Sequence, residues 1–196
     1  MTLDAEGAAP EFGDVDLHLF AEGTHGRLYE KLGAHPVATG DRRGTTFAVW
    51  APNAEAVDVI GDFNDWTPGR APLHPVRGSG VWSGFVADAG PGSRYKFHLR
   101  SRFGGYTVAK ADPFAFATEA PPGTASVVAT LDHVWTDDAW MRGRRARNAL
   151  DAPISIYELH LGSWLRDPAR PTELLSYRAI APRLVEHVRR AGFTHV

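Results

Sequence analysis

The sequence predicts a mainly β protein: an antiparallel, immunoglobulin-like β-sandwich followed by the first β-α unit, and the start of the second strand, of a (β/α)8 barrel. Two observations lead to this prediction. From Thr45 to about Phe103, short segments of alternating apolar and polar residues recur between turn-forming residues, a pattern typical of a sandwich. After Pro153 an apolar strand, a helical stretch and another apolar strand follow one another, as at the start of a βα repeat. Because a complete barrel needs roughly 250 residues, we expect residues 153–196 to be a truncated barrel.

Length and composition exclude several classes of function. The 196 residues suffice for one full domain and part of another. With 21 basic and 23 acidic side chains, no net field favours nucleic acid or an anionic membrane as a partner. The chain has no cysteine, which excludes disulfides and thiolate chemistry. The histidines show no metal-triad spacing, so we predict neither a metal nor a cofactor. No membrane-spanning or signal segment is evident, and a cytoplasmic location is expected.

Composition divides the chain into five expected segments. They are a flexible leader (1–15), an N-terminal helical or loop segment (16–44), the sandwich (45–118), a linker (119–152) and the barrel start (153–196). The leader is small and acidic without periodicity. In the second segment Leu28 and Leu32 lie four apart and Gly33 follows, which predicts a short helix ending at that glycine.

The sandwich strands are predicted from residues that alternate between two faces. The clearest strands are expected at 47–51, 57–61, 81–86 and 93–99, with an edge strand at 106–108 and a further one at 126–129. In the fourth, Tyr95, Phe97 and Leu99 share one face and Lys96 and His98 share the other.

The linker is expected to be irregular. Trp135 and Trp140 are expected to hold it against another surface, because two tryptophans are costly to leave in water. The basic run Arg142, Arg144, Arg145 and Arg147 is predicted to be a solvated surface, with anion binding as the alternative.

The βα unit is expected to contain a strand at 154–161, a loop at 162–172 and a helix closed by Gly192. Ser176 is the candidate N-cap. Since a proline inside a helix loses a hydrogen bond, Pro182 suggests that the helix begins nearer residue 181.

The turn Gly-Asp-Phe-Asn-Asp-Trp (61–66) is the first candidate site. A sugar ring presents a face of C–H groups with hydroxyls around its edge, and a flat aromatic ring flanked by hydrogen-bonding groups suits it. Trp66 with Asn64 would supply both for glycan binding. The alternative is that Phe63 and Trp66 cap the sandwich core while the acids only form the turn.

Glu158 and His160 form a second candidate, because residues two apart on a strand face the same way. They are either a catalytic acid/base pair or a structurally satisfied pair in the strand. We favour the structural interpretation.

Several phrases resemble one family, the 1,4-α-glucan branching enzymes. They are Asp-Leu-His-Leu-Phe (16–20), Leu-Gly-Ala-His-Pro (32–36), Val-Trp-Ala-Pro-Asn-Ala (49–54), Gly-Asp-Phe-Asn-Asp-Trp (61–66), Tyr-Lys-Phe (95–97), Lys-Ala-Asp-Pro (110–113), Ile-Tyr-Glu-Leu-His-Leu-Gly-Ser-Trp (156–164), Leu-Ser-Tyr-Arg (175–178) and Gly-Phe-Thr-His-Val (192–196). The resemblance implies a glycan-binding sandwich before an α-amylase-type barrel. It also implies an enzyme that cleaves an α-1,4 bond and rejoins the freed segment through an α-1,6 bond, with a carboxylate nucleophile and a carboxylic acid as acid/base. Those acids would lie beyond Val196, so we expect this chain alone to be inactive.

The resemblance also implies site residues. Trp66, Lys96 and Tyr106 correspond to the sugar platform of related modules, and Tyr157 and Trp164 to positions that could line a substrate groove. The implied partners are an α-glucan such as glycogen or amylose and the missing remainder of the barrel. Three alternatives stay open. The platform surface could pack against the barrel instead of binding glycan. The protein could instead be a debranching or trehalose-releasing hydrolase, or a stand-alone glycan-binding module.

Overall fold

The computed structural model describes residues 12–39 and 42–196 and contains two compact units. We call them the sandwich unit, which ends at Asp132, and the C-terminal unit, His133–Val196. A flexible leader was predicted for residues 1–15, and residues 1–11 of it lie outside the described residues. Residues 12–15 are part of the fold, since Phe12 is buried and a helix starts at Asp14.

The sandwich unit contains one helix and nine strands among its described residues. They are α1 (Asp14–Glu22), β1 (Gly33–Thr39), β2 (Arg42–Trp50), β3 (Ala54–Gly61), β4 (His74–Pro75), β5 (Val81–Val86), β6 (Arg94–Ser101), β7 (Thr107–Lys110), β8 (Ala117–Thr118) and β9 (Ser126–Val127). Two antiparallel sheets result, one in the order β1-β2-β5-β4 and the other in the order β3-β6-β9-β8, with β7 also paired to β6. The predicted antiparallel sandwich is confirmed. Its sheets extend from β1 to β9, beyond the expected 45–118 on both sides.

Aromatic rings fill the space between the sheets. The Phe47 ring lies 5.0 Å from that of Tyr95 and 6.5 Å from that of Phe97, and all three side chains are buried. Tyr95 and Phe97 therefore share the inner face of β6, as the alternation predicts. Lys96 and His98 lie on the outer face.

The β1-β2-β5-β4 sheet is covered on its outer face as well. Ala48 and Val81 pack there with Phe12 and Leu32, and side chains of α1 lie against this cluster. Consequently β2 is buried on both faces. The helix expected to end at Gly33 is reduced to a 3₁₀ turn, Leu28–Glu30, and that glycine begins β1.

The C-terminal unit departs from the strand–helix–strand order expected of a βα repeat. Its elements are α2 (Asp138–Arg147), α3 (Leu161–Trp164), β10 (Arg166–Asp167), β11 (Arg170–Leu174) and α4 (Tyr177–Ala191). Ile156 pairs in parallel with His195. However, the strand expected at 154–161 is only this bridge, because α3 begins at Leu161, and the expected loop contains the β10-β11 hairpin.

Helix α4 begins earlier than expected. The Ser176 hydroxyl accepts the N–H of Ala179 at 3.3 Å, which caps a helix starting at Tyr177. Gly192 closes it with a left-handed φ of +78°. Pro182 is therefore inside the helix, where its ring nitrogen leaves the Arg178 carbonyl without the usual i−4 donor.

The segment after the sandwich is not the irregular linker that was expected. Its second half is α2, and the basic run on that helix is exposed, as predicted. Trp135 is 74% exposed and Trp140 is 48% exposed, in contrast to the expectation that they hold the segment against another surface. Among residues 12–39 and 42–196, no helix is both long and apolar enough to cross a bilayer.

Candidate functional site

The turn that carries Trp66 is built by Asn64. Its Oδ1 accepts the Gly61 N–H at 2.9 Å, and its Nδ2 donates to the Val59 carbonyl at 2.9 Å. The side chain is only 6% exposed. Asn64 was predicted to contact glycan, but the hydrogen bonds of its buried amide go to the backbone, so its observed role is to shape the turn.

The backbone of this turn is unusual. Asp65 and Trp66 have φ values of +52° and +57°, in the left-handed region that non-glycine residues rarely adopt. The Trp66 N–H donates to the Gly61 carbonyl at 3.0 Å. These constraints place the half-buried indole at the end of β3.

An ion-pair network anchors the turn to its surroundings. Arg94 donates to both carboxylate oxygens of Asp62, each at 2.9 Å, and to Glu119 at 3.1 Å. Hydrogen bonding from Arg94 lowers the pKa of Asp62, and a hydrogen bond from the Trp66 side chain lowers it further. Because Glu119 also accepts the Ala125 N–H at 2.9 Å, one network joins the turn, the start of β6 and the loop before β9.

Lys96 lies at this same end of the sheet. It faces Ile60 across the β3-β6 ladder, one position from Gly61. Its ammonium donates to the Thr124 hydroxyl at 2.7 Å, which leaves two of its three N–H groups for other acceptors. The structure therefore brings two of the predicted platform residues, Trp66 and Lys96, to one end of the sandwich.

Tyr106 is not part of that platform. The Tyr106 carbonyl accepts the Ser101 N–H at 2.8 Å, so Tyr106 lies beside Ser101. Ser101 is five residues along β6 from Lys96, a distance of roughly 17 Å. Thr107 faces Arg100, a residue on the outer face like Lys96. By alternation Tyr106 is directed to the opposite face, so the structure does not bring Tyr106 together with Trp66 and Lys96 as the predicted platform requires.

Tyr157 and Trp164, the candidate groove residues, contact each other. The indole N–H of Trp164 donates to the Tyr157 hydroxyl at 2.8 Å. The Tyr157 ring lies 4.9 Å from that of His187 and 5.0 Å from that of Phe193. This cluster holds the segment at 156–157 against α4.

The other candidate pair is not formed. Glu158 and His160 are both exposed, and among the described residues no ion pair joins them. His160 Nδ1 lies 3.1 Å from the Ser163 hydroxyl instead. The favoured interpretation, a structurally satisfied pair in a strand, is therefore corrected. The strand ends before residue 158, so it does not align the Glu158 and His160 side chains.

The sequence did not identify a buried polar cluster around Asp112. The Tyr95 hydroxyl donates to Asp112 Oδ2 at 2.6 Å, and the Phe114 N–H donates to Oδ1 at 2.8 Å. The Asp112 N–H in turn donates to the Ser126 hydroxyl at 2.8 Å. Burial raises the pKa of Asp112, and the Tyr95 hydrogen bond partly opposes this. The cluster ties β6 to β9 and lies inside the sandwich, so it has a structural role.

Comparisons with known proteins agree with this architecture. Residues 31–115 match the family carbohydrate-binding module 48 (Isoamylase N-terminal domain). The chain is 52% identical over 185 residues to the 1,4-alpha-glucan branching enzyme of Albidiferax ferrireducens, covering 93% of this chain and 28% of that enzyme. It is 50% identical over 196 residues to one from Xanthomonas axonopodis pv. citri, covering 100% of this chain and 27% of that enzyme.

The chain thus spans little more than a quarter of the length of these relatives, and it corresponds to their N-terminal part. The resemblance found in the sequence is confirmed. Among solved structures, the chain is similar to the maltotriose complex of a PulA mutant from Klebsiella pneumoniae. The TM-score is 0.56 over 81% of this chain and 18% of that one, at 22% identity, a likeness of fold alone.

Proposed function

We propose that this chain is the N-terminal part of a 1,4-alpha-glucan branching enzyme of glycogen biosynthesis. The intact enzyme would cleave an α-1,4 bond of a glucan and re-attach the segment through an α-1,6 bond. This chain would supply the accessory sandwich and the first βα unit, while the catalytic acids would come from sequence outside residues 1–196. Its partners would be an α-glucan and the remainder of the barrel, in the cytoplasm.

One observation carries this proposal: the identity does not stop at the module. It is 52% over 93% of the chain, whereas the module itself matches residues 31–115. A hydrolase that shared only the front module would not require similarity through the C-terminal unit. The parallel pairing of Ile156 with His195 supports the same proposal, because a stand-alone sandwich has no use for the start of a parallel barrel.

The platform of Trp66 and Lys96 would bind the glucan. A ring on a rigid turn can stack on the C–H face of a glucosyl unit without losing much conformational freedom on binding. The ammonium of Lys96 would donate to the surrounding hydroxyls. Asn64 and the Asp62–Arg94 pair would position the ring without touching the sugar.

A chimera tests the enzymatic proposal. Residues 1–196 would replace the matching N-terminal part of the Albidiferax ferrireducens enzyme, to which they are 52% identical. We expect the chimera, incubated with amylose, to form new α-1,6 linkages, measured by proton NMR and by chain-length analysis after enzymatic debranching. There are two controls, and both should be inactive. One is the relative without its N-terminal part, and the other is the 196-residue chain alone.

The alternatives give different products. A debranching or trehalose-releasing specificity would appear as free reducing sugar or trehalose without new α-1,6 bonds. A folded chimera that forms no branch points, where the intact relative does, would refute the proposal.

A further inference from the structure

A shallow groove lies at the end of the sandwich unit opposite to Trp66. It has a volume of about 170 Å³ and opens between the turn that joins β2 to β3 and the turn that joins β6 to β7. Its wall is apolar and includes Ala54, Leu99 and Val108. The ring of Tyr106 forms one side and is 63% exposed. We call this feature the Tyr106 groove.

The rim of the Tyr106 groove carries neutral hydrogen-bonding groups. Asn53 contributes an exposed amide and Ser101 a hydroxyl that accepts the Phe103 N–H at 3.1 Å. Of the described residues that line the groove, none carries a charge. The adjoining cation, Arg102, donates from its guanidinium to the Pro52 carbonyl. The lining therefore suits a neutral ligand.

Size and shape restrict the occupant further. The volume is well below the roughly 300–1,000 Å³ of pockets that enclose drug-sized ligands, so one ring at a time would fit. A stable protein interface uses about 20–30 residues a side, far more than line this groove, which argues against a protein partner. An apolar wall, one exposed aromatic face and an amide–hydroxyl rim match the C–H face and the hydroxyls of a sugar.

We propose that the Tyr106 groove is a second α-glucan contact, separate from the platform of Trp66 and Lys96, that holds a single glucosyl unit. That the ligand is an α-glucan rests on the proposed function. That the two sites are separate rests on the strand register, which puts them at opposite ends and on opposite faces of β6. Two weak sites on one module raise the affinity for a long polymer above that for a short sugar, because the second contact becomes intramolecular.

An NMR titration of the isotope-labelled 196-residue chain with maltotriose tests the proposal. This sugar is too short to contact both ends and both faces of the sheet at once. We expect two independent sets of shifts, one at the Trp66 indole N–H and one at the backbone amides of Leu99, Ser101 and Val108. Tyr106→Ala should weaken binding at the groove by about fivefold or more, the loss typical of one stacked aromatic face. It should leave the Trp66 indole shift intact, and Trp66→Ala should leave the shifts of the groove amides intact.

Two variants serve as controls. Phe103 is equally exposed, at 66%, and lies on the same turn without lining the groove, so Phe103→Ala should change neither set of shifts. Tyr106→Phe keeps the ring and should keep most of the binding. Groove amides that do not respond to maltotriose, or that respond equally in Tyr106→Ala, would overturn the proposal. An equal loss in Phe103→Ala would do the same.

The two proposals can fail separately. Silence at the groove with a response at Trp66 rejects only the second contact. Silence at both sites rejects glucan binding by the sandwich, while branching by the chimera is measured independently of either site.

Discussion

The turn that carries Trp66 is held mainly by Asn64 and by the Asp62–Arg94 pair, so we expect it to stay folded when the indole is removed. Alanine at this left-handed φ of +57° meets the same backbone cost as tryptophan. We expect Trp66→Ala to weaken retention on glycogen in affinity electrophoresis by about fivefold, on the order of 1 kcal/mol. Trp135→Ala, which removes a more exposed indole outside the sandwich unit, is the control and should migrate like the parent chain. Unchanged mobility of a folded Trp66→Ala would reject the platform.

Tyr95 and Asp112 predict a pH-dependent stability. The tyrosine hydrogen bond lowers the pKa of Asp112, which burial raises above its ordinary value of 3.8. Tyr95→Phe therefore raises the folded-state pKa further. A carboxyl with a raised folded-state pKa binds more protons in the folded than in the unfolded protein, so its contribution to stability falls as pH rises from about 4.

The expected result for Tyr95→Phe is a loss of about 1–3 kcal/mol in the free energy of unfolding at pH 7, with a smaller loss near pH 4. Urea unfolding at both pH values measures it. Tyr106→Phe, which removes an exposed hydroxyl, should cost nothing at either pH. A loss that is constant or that grows toward acid would contradict the assignment.

At the scale of single residues, the sequence indicates which side chains are candidates for a site better than it indicates what those side chains contact. Trp66 and Lys96 were expected together from the resemblance, and the β3-β6 register puts both at one end of the sandwich; their contact with glycan stays a prediction. For Asn64 the backbone hydrogen bonds were not foreseen, since nothing in a sequence says whether an amide faces a ligand or its own backbone. Tyr106 was misplaced because the register of the β6-β7 hairpin decides its face, and register depends on tertiary pairing.

At the level of elements, β3 and its turn depend on Gly61. A methyl group on this residue would lie 2.7 Å from the ring of Phe63 and would overlap the Arg94 carbonyl. Its φ of −177° is ordinary extended backbone, so the requirement comes from packing. We expect Gly61→Ala to cost about 1–3 kcal/mol and to weaken glycogen retention, because the turn carrying Trp66 must shift. Gly90→Ala, which meets no atom within 4 Å, is the control, and equal thermal stability of both variants would contradict this.

Helix α4 allows opposite predictions within one element. Ser176→Ala removes the N-cap and should lower helix stability by about 1 kcal/mol. Pro182→Ala restores a backbone donor for the Arg178 carbonyl and should stabilise the helix. Amide exchange of residues 177–191 measures both effects, and the two variants should move it in opposite directions. Faster exchange in Pro182→Ala would indicate that the proline is favourable there.

The elements that sequence reasoning missed share a physical cause. β1 contains Gly33 and Pro36, residues that weaken a strand signal, and it forms because β2 pairs with it along its whole length. α1 is mostly exposed and has little intrinsic amphipathic pattern, yet it is stabilised by packing on the second apolar cluster. In both cases tertiary contacts override local preference. The β6 strand was predictable because its burial follows the period of two, and β2 and β3 were predictable from apolar residues at alternate positions.

Across the whole molecule, the two units differ in how much apolar surface they bury. The sandwich unit has two buried clusters. In residues 133–196, Ile180 is the only buried hydrophobic side chain. Several large apolar side chains there are exposed, including Ile154, Ile156, Leu174 and Val185. Under the proposed function, the remainder of the barrel would cover them.

This difference predicts unequal local stability. Amide exchange in the C-terminal unit, including α4, should be faster than in β2 and β6 by roughly two orders of magnitude or more, because local opening free energies follow buried contacts. Adding the Albidiferax ferrireducens enzyme without its N-terminal part should slow exchange in residues 153–196 and leave the sandwich core unchanged. Such selective protection is expected only if an incomplete barrel is being completed. Uniform protection in the 196-residue chain alone would show that the C-terminal unit is stable by itself, and the barrel assignment would then lose its physical basis.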